Sequence, residues 1–355
     1  MSENTGIPEI LSFITAPAFS VCDGKISRCN DAAQRLLFQE GTDIAALLPR
    51  EQSEYASFKD GCLFLTLTHN NCSYNASVMH MEQGNLFVLE EDNDQIELKT
   101  LSLTASNMRQ PLSSMIAATT SLASTLEQTK DPKIRAQLQH MNRNLCRMHR
   151  MLCNMSDAIQ YADGTSNNMV CQNIVSVVEE IFQQAQQLCA HSGIHLEYSV
   201  PNRDILCVID EALLERGIYN MLSNAIKFSN ECSVIQATLT HRDNRVYISI
   251  KDQGSGIPSS MINSVFQRYQ RQPGPEDSRY GLGLGLVLVR CAARVHGGTV
   301  LVDRPEEGGT RVTVSFPVRQ RSMPLLRSDI THVDYAGGWD HSLLELSDVM
   351  PVELY

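Results

Sequence analysis

The sequence predicts an α+β protein of several domains, and the changes of hydrophobic pattern along its 355 residues support this prediction. Short alternating runs broken by turn residues extend to about residue 91 and are typical of strands. A helical period of three and four follows as far as about residue 160. The later residues mix strands and helices without strict βαβ alternation, which favours a layered α/β sandwich with helices on one face over a doubly wound sheet.

Composition and charge exclude several classes of protein. The formal net charge is −11 and no basic block offsets it, so we expect no general binding to nucleic acid or anionic membranes. The first residues lack the basic and apolar regions of a signal peptide, and no run of about 18 apolar residues occurs. The eleven cysteines include no Cys-x-x-Cys, which argues against a disulfide framework or a zinc site. We expect a cytoplasmic protein with reduced thiols and no membrane span.

Residues 8–92 are predicted to form a small α+β domain. Asp23-Gly24 lies between two alternating runs and is a strong hairpin signal, and a helix is expected from Asn30 to Leu37. This arrangement resembles a PAS domain, and the resemblance implies an input role. No residue in this range indicates a particular ligand. The sequence therefore leaves open whether the domain senses a molecule or only dimerises and transmits a signal.

Residues 95–161 are predicted to form a hairpin of two helices. Asp131-Pro132 supplies an N-cap and a first-turn proline for the second helix. Two helices alone bury little apolar surface, so we expect two copies to pair as a four-helix bundle, which makes the protein a homodimer. The repeating apolar positions are Leu101, Ala105, Met108, Leu112, Met115, Thr119, Leu122 and Leu126 in the first helix, and Ile134, Leu138, Met141, Leu145, Met148, Leu152, Met155 and Ile159 in the second.

Residues 169–318 are predicted to form the α/β sandwich. A Gly308-Gly309 turn joins its last two strands. Residues 319–355 form an acidic tail, for which we expect a mobile terminus, with Leu343-Leu-Glu-Leu as a docking peptide the alternative. The predicted elements are helices near 174–190, 210–228 and 285–296, and strands near 195–200, 233–240, 246–251, 299–302 and 311–316.

A pair of asparagines on the second predicted helix of this sandwich is suited to a metal-bound phosphate. Asn220 and Asn224 are four residues apart and share a helix face, with Lys227 one turn further on. Amide oxygens suit a magnesium ion already held by phosphates, and an ammonium group suits phosphate charge. The alternative is that both asparagines are ordinary polar positions on an exposed helix.

Two later motifs are suited to the base and the phosphates of a nucleotide. Asp252 ends an alternating strand, where its carboxylate can accept a hydrogen bond from an exocyclic amine such as that of adenine. Gly254 and Gly256 let the backbone approach a flat base closely. Walker and dinucleotide fingerprints are absent. The glycines that lead into the next helix, whose N-terminal amides favour phosphate, are Gly281, Gly283 and Gly285.

The chain order of these motifs resembles the ATP-binding domain of sensor histidine kinases, within the superfamily that includes gyrase, Hsp90-type and mismatch-repair ATPases. The resemblance covers roughly residues 170–318 and includes Phe266 and Gly309-Thr310. It implies that ATP and Mg²⁺ are the cofactors and that the protein takes part in two-component signalling.

The same resemblance implies a role for each motif residue. Asn224, together with Asn220, would hold magnesium through the ATP phosphates, and Lys227 would face phosphate. Asp252 would recognise adenine, and Thr310 would contact the base through water.

A segment rich in proline, glycine and arginine, residues 270–280, resembles the ATP lid of this family. Arg268 and Arg271 are then candidate phosphate contacts, with a solvated surface as the alternative. The glycines at 281, 283 and 285 would form the hinge on the phosphate side of the lid.

The helical hairpin resembles the dimerisation and phosphoacceptor hairpin of the same family, whose first helix carries His-Glu/Asp-x-x-Thr/Asn-Pro-Leu. Here the aligned residues begin Ser106-Asn107 and continue through Gln110-Pro111 to Leu112. Serine needs a base to become a nucleophile, and its phosphoester is too stable to pass readily to an aspartate. The amide of Asn107 cannot be that base. Self-phosphorylation at this position is therefore doubtful, and the chain is a pseudokinase candidate.

The remaining polar groups leave other outcomes open. Asn220 stands where related ATPases carry a glutamate that activates water, and it cannot act as a base. Gln110 is either a group that positions water to dephosphorylate a partner or a plain polar residue. His140 and His149 lie beside the seam of the second helix and are alternative acceptors.

Three hypotheses follow from the sequence. The first is a dimeric histidine-kinase-family protein that binds Mg-ATP but is impaired in self-phosphorylation. The second is an active kinase with an atypical acceptor on itself or on a partner protein. The third is a non-enzymatic interaction module in which ATP sets the conformation. A response regulator or another kinase is the expected partner.

Overall fold

A computed structural model describes residues 7–90, 95–126, 131–161, 164–230, 232–257, 284–319 and 339–355. Within these ranges, no helix is both long enough and apolar enough to cross a membrane.

The first folded unit contains an antiparallel sheet of order β2-β1-β5-β4-β3. The predicted hairpin at Asp23-Gly24 is present, and the Asn30 side chain caps the following helix by accepting from the Ala33 amide. Its elements are α1 (Ile7–Phe13), β1 (Ala18–Cys22), β2 (Lys25–Cys29), α2 (Asp31–Arg35), α3 (Ile44–Leu47), α4 (Gln52–Ser57), β3 (Cys62–His69), β4 (Cys72–Met81) and β5 (Gly84–Leu89).

The second unit is a hairpin of two long helices, α5 (Gln95–Leu126) and α6 (Pro132–Gln160). Asp131 caps α6 by accepting from the Lys133 amide, as its sequence predicts. The predicted apolar stripe divides into two rows, of which one is buried inside the hairpin and the other faces outward. The buried row of α5 is Ala105, Leu112 and Thr119, and the outward row is Met108, Met115 and Leu122, which are 44–51% exposed.

The third unit has a sheet of order β11-β12-β10-β9-β7, in which only β7 and β9 run parallel among the described pairs. Apolar residues of α7, α8 and α9 pack on this sheet. The sequence missed a separate pair of short strands, β6 and β8. The elements are β6 (Val170–Asn173), α7 (Ile174–Cys189), β7 (His195–Ser199), β8 (Leu206–Ile209), α8 (Glu211–Phe228), β9 (Val234–Arg242), β10 (Arg245–Lys251), α9 (Gly285–Val295), β11 (Thr299–Asp303) and β12 (Arg311–Pro317).

The sheets of the first and third units join edge to edge. Strand β3 pairs antiparallel with β11, with Phe64 opposite Val300, and the five strands of each sheet thus form one ten-stranded sheet. Beside this junction Glu54 of α4 and Arg245 of β10 form a buried ion pair. The pairing covers two sheet edges that would otherwise expose backbone hydrogen-bonding groups.

The tail contains a packed segment, so the expectation of a mobile terminus is wrong for residues 339–355. Helix α10 (His341–Glu345) begins after Asp340, whose side chain accepts from the Leu343 amide. Leu344, Leu346 and Met350 are fully buried, because they pack against the rest of the chain. Residues 320–338 of the predicted tail lie outside the described residues.

Candidate nucleotide-binding site

Helix α8 places the paired asparagines at the edge of the core. Its N-terminus is capped by Asp210, and nearly all of its central residues are buried because α8 packs between the sheet and other helices. Asn220 is only 2% exposed, so the alternative of an ordinary position on an exposed helix is wrong for this residue. Asn224 and Lys227 are half-buried, and the Lys227 ammonium lies 5.8 Å from the centre of the Phe228 ring.

The carboxylate motif forms a closed turn directly after β10. Asp252 Oδ1 accepts hydrogen bonds from the backbone amides of Gly254 at 2.9 Å and Thr310 at 3.0 Å. The Asp252 amide in turn donates to the Thr310 carbonyl at 2.9 Å. Burial raises the pKa of the Asp252 carboxyl, and the two amide hydrogen bonds oppose that rise. Among the described residues both of these bonds end on Oδ1, so Oδ2 can accept a hydrogen bond from a ligand.

Two glycines allow three segments to meet at this turn. A Cβ atom on Gly254 would lie 2.2 Å from the carbonyl oxygen of Phe228 at the end of α8. A Cβ atom on Gly309 would lie 2.0 Å from the carbonyl oxygen of Asp252, and the Gly309 φ of +79° favours glycine as well. Gly256 also lies here, with its Cβ position 3.1 Å from the Gly309 carbonyl oxygen. The end of α8, the carboxylate turn and the β11–β12 turn therefore form one surface.

The N-terminus of α9 lies beside the paired asparagines. Gly285 is the first residue of α9, and a Cβ atom on it would lie 3.3 Å from Asn220 Oδ1 and 3.6 Å from Asn224 Nδ2. The positive end of a helix dipole favours anions, and amide oxygens suit a hard cation. This corner can therefore hold a phosphate group together with its divalent cation.

A contact from the hairpin to this corner was missed by the sequence analysis. Arg150 of α6 donates from Nη2 to Asn220 Oδ1 at 3.2 Å and from Nη1 to the Ser223 hydroxyl at 3.2 Å. Asn220 Nδ2 donates to the Arg216 carbonyl at 2.8 Å, which fixes the amide with its oxygen toward α6. An arginine within a heptad pattern gives no signal for a partner 70 residues away.

The other predicted site residues are placed as follows. Asn107 and Gln110 are exposed on α5, and Ser106 belongs to the same helix. His140 is exposed on α6, and His149 is half-buried. The predictions that lie outside the described residues are Phe266, Arg268, Arg271, Gly281, Gly283 and the lid at residues 270–280.

Comparison with known proteins shows what the chain is similar to. Residues 209–320 match the family described as histidine kinase-, DNA gyrase B-, and HSP90-like ATPase. The adaptive-response sensory kinase SasA of Crocosphaera subtropica is 29% identical over 266 residues, which are 70% of this chain and 68% of that protein. The sensor histidine kinase WalK of Bacillus subtilis is 25% identical over 264 residues. Residues 209–320 therefore match a histidine-kinase-type ATPase domain, and the chain is similar to sensor histidine kinases over about 70% of its length.

The fold also resembles a solved structure, that of full-length ShkA in complex with AMPPNP. The TM-score is 0.51 at 21% identity, over 64% of this chain and 47% of ShkA. The chain also matches only 42% of the length of WalK. The family match covers α8, the Asp252 turn, α9 and the last two strands, which are the elements that converge at the site.

Proposed function

We propose that this chain is a histidine-kinase-family signal transduction protein that binds Mg-ATP at the α8, β10 and α9 junction. The observation that carries the proposal is the position of Gly285 at the α9 N-terminus, where an added Cβ atom would lie 3.3 Å from the Asn220 side chain and 3.6 Å from that of Asn224. A phosphate-favouring helix end and two amides that can bind a metal thus share one corner.

Each residue has a chemical role in this proposal. Asn220 and Asn224 contribute amide oxygens to Mg²⁺ that is held by the phosphates, and Lys227 neutralises phosphate charge. Asp252 accepts the exocyclic amine of adenine on Oδ2, because its Oδ1 is occupied by two backbone amides. Thr310, which is 9% exposed beside Asp252, contacts the base through water. Mg²⁺ would supply charge neutralisation along the phosphates.

The proposal separates nucleotide binding from phosphotransfer. Ser106 and Asn107 occupy the positions where the family carries histidine and a carboxylate, so the usual acceptor and its neighbouring base are both missing. The chain then acts in two-component signalling by binding a response regulator or another kinase in an ATP-dependent conformation. Residues 8–92 supply a PAS-like input in this scheme. Their sheet continues directly into that of the third unit, here called the nucleotide unit because it carries the candidate site.

We propose a homodimer formed through the hairpin. The outward row of α5 repeats at steps of seven residues, which is the spacing of a helical seam that needs a partner. Met115→Glu introduces a charge in this row and should convert a dimer into a monomer in light-scattering measurements of mass. Ala117→Glu lies away from this row on the exposed side of α5 and should leave the mass unchanged. A monomeric wild-type chain would contradict the dimer.

The binding proposal is tested by calorimetric titration of the full chain with AMPPNP, in Mg²⁺ and in EDTA. We expect saturable binding with one site per chain that is stronger in Mg²⁺, because the asparagine oxygens contact the metal. Absence of binding in both buffers would contradict the proposal.

A further inference from the structure

Residues 339–355, here called the strap, lie against α8, the helix whose Asn220 and Asn224 form the metal side of the candidate site. Helix α10 contacts α6, α7 and α8. Leu344 packs with Cys146 of α6, and Trp339 and Tyr355 pack beside them. The strap therefore binds across the hairpin and the nucleotide unit at once.

A buried ionic cluster fixes the strap to both helices. Glu345 is fully buried and accepts from Arg150 Nε at 3.2 Å and from Arg216 Nε at 3.1 Å. Asp348 accepts from Arg150 Nη1 at 2.8 Å, and Arg216 also pairs with Asp157 of α6. A buried carboxylate is unfavourable unless it is paired, so the strap and the two arginines depend on each other.

The same arginine occupies the metal side of the candidate site. Arg150 Nη2 lies 3.2 Å from Asn220 Oδ1, and the Arg150 side chain is 5% exposed. The guanidinium places a positive charge on the amide oxygen that the proposed Mg²⁺ would use. A metal ion bound to the same oxygen would lie next to the guanidinium, and the two cations would repel each other. Glu345 and Asp348 hold Arg150 in this position.

We propose that the surface between α6 and α8 is a binding site for an acidic amphipathic segment, and that the strap occupies it. The bound strap holds Arg150 on Asn220 and thereby opposes binding of a metal-bound nucleotide. This inference rests on the nucleotide-binding function proposed above. Because coupling between two sites is reciprocal, a metal-bound nucleotide also weakens docking of the strap.

Three variants of the full chain test the proposal by titration with AMPPNP in Mg²⁺ and in EDTA. Leu344→Asp places a charge in a fully buried apolar site and releases the strap, and Arg150→Met removes the guanidinium itself. Both should lower the Kd about tenfold or more in Mg²⁺, because the metal no longer has to displace a hydrogen bond from a charged group. Neither should lower it in EDTA, since the guanidinium attracts free phosphates. Leu343→Asp, at a half-buried neighbouring position, is the control and should match the wild type.

The possible results separate this inference from the proposed function. The inference is overturned if Leu344→Asp and Arg150→Met both bind Mg-AMPPNP as the wild type does or more weakly. Weaker binding by Arg150→Met would indicate that Arg150 contacts the phosphates. Absence of binding by every variant overturns the nucleotide site and the inference together. If Leu344→Asp fails to fold by circular dichroism, Arg150→Met decides alone. Hydrogen exchange of the wild-type α10 amides should become faster with Mg-AMPPNP, and unchanged or slower exchange counts against the coupling.

Discussion

Replacement of Asp252 by asparagine tests the proposed adenine contact with little disturbance of the fold. The new Oδ1 can keep the bonds from the Gly254 and Thr310 amides, now 2.9 and 3.0 Å long. The other oxygen becomes an NH₂ group, which donates where the adenine amine needs an acceptor. A hydrogen bond to a charged group contributes about 1.5–3 kcal/mol, so the Kd for Mg-AMPPNP should rise about 10- to 150-fold.

The assay is calorimetric titration of the full chain, with Asp243→Asn as a matched control. Asp243 is exposed in the turn between β9 and β10 and has a φ of +48°, a conformation that asparagine tolerates. The control should bind as the wild type does. Equal Kd values for Asp252→Asn and the wild type would refute the adenine contact.

The raised pKa of Asp252 gives this prediction a pH dependence. Burial disfavours the ionised carboxylate, so the stability that this group contributes is present below its ordinary pKa and is lost as pH rises through the raised value. Asp252→Asn removes that penalty and should leave the thermal midpoint at neutral pH no lower than that of the wild type. Nucleotide binding needs the ionised form, so wild-type affinity should fall as pH is lowered through the same pKa. A midpoint several degrees lower in the variant would contradict this reasoning.

Two further pairs of variants test the turn and the core. Gly309→Ala should weaken Mg-AMPPNP binding, because its Cβ would collide with the Asp252 carbonyl oxygen. The control Gly24→Ala, at a similar φ but with open space around it, should bind as the wild type does. Equal affinities of the two variants would count against the turn geometry. Burial lowers the pKa of His296 below its ordinary value of 6.5. The neutral imidazole therefore contributes stability above pH 6.5, and this contribution is lost as pH falls through the lowered pKa. His296→Gln should lose less unfolding free energy on acidification than the wild type, while the exposed control His191→Gln should lose as much as the wild type. Identical pH profiles for the wild type and both variants would argue against a buried neutral histidine.

The elements with strong periodicity were predicted closely from the sequence. The helix expected at 210–228 forms at Glu211–Phe228, and the strand expected at 246–251 forms at Arg245–Lys251. Local patterns fix such elements because one face of each is buried along its whole length. The sequence also assigned Asn220 and Gly285 to one candidate site, and the structure brings α8 and the start of α9 close together.

Features that depend on distant contacts could not be predicted in this way. Strands β6 and β8 have four residues each and no alternation long enough to indicate a strand. The sequence predicted a mobile tail because the segment is terminal and acidic. In the structure Glu345 is buried and paired with two arginines that lie about 130 and 195 residues earlier in the chain. The pairing of Phe64 with Val300 joins the two predicted sheets, and the sequence pattern of β3 and β11 does not indicate that these strands pair with each other.

Transfer of phosphate from γ-labelled ATP to the full chain, at saturating Mg-ATP, tests the central claim most directly. In the proposed function the nucleotide site is retained, while Ser106 and Asn107 replace the acceptor pair. We therefore expect no stable label on a chain that binds Mg-ATP. A label that is labile to acid and stable to base would contradict it and indicate a histidine such as His140 or His149, and an acid-stable label on Ser106 would contradict it equally.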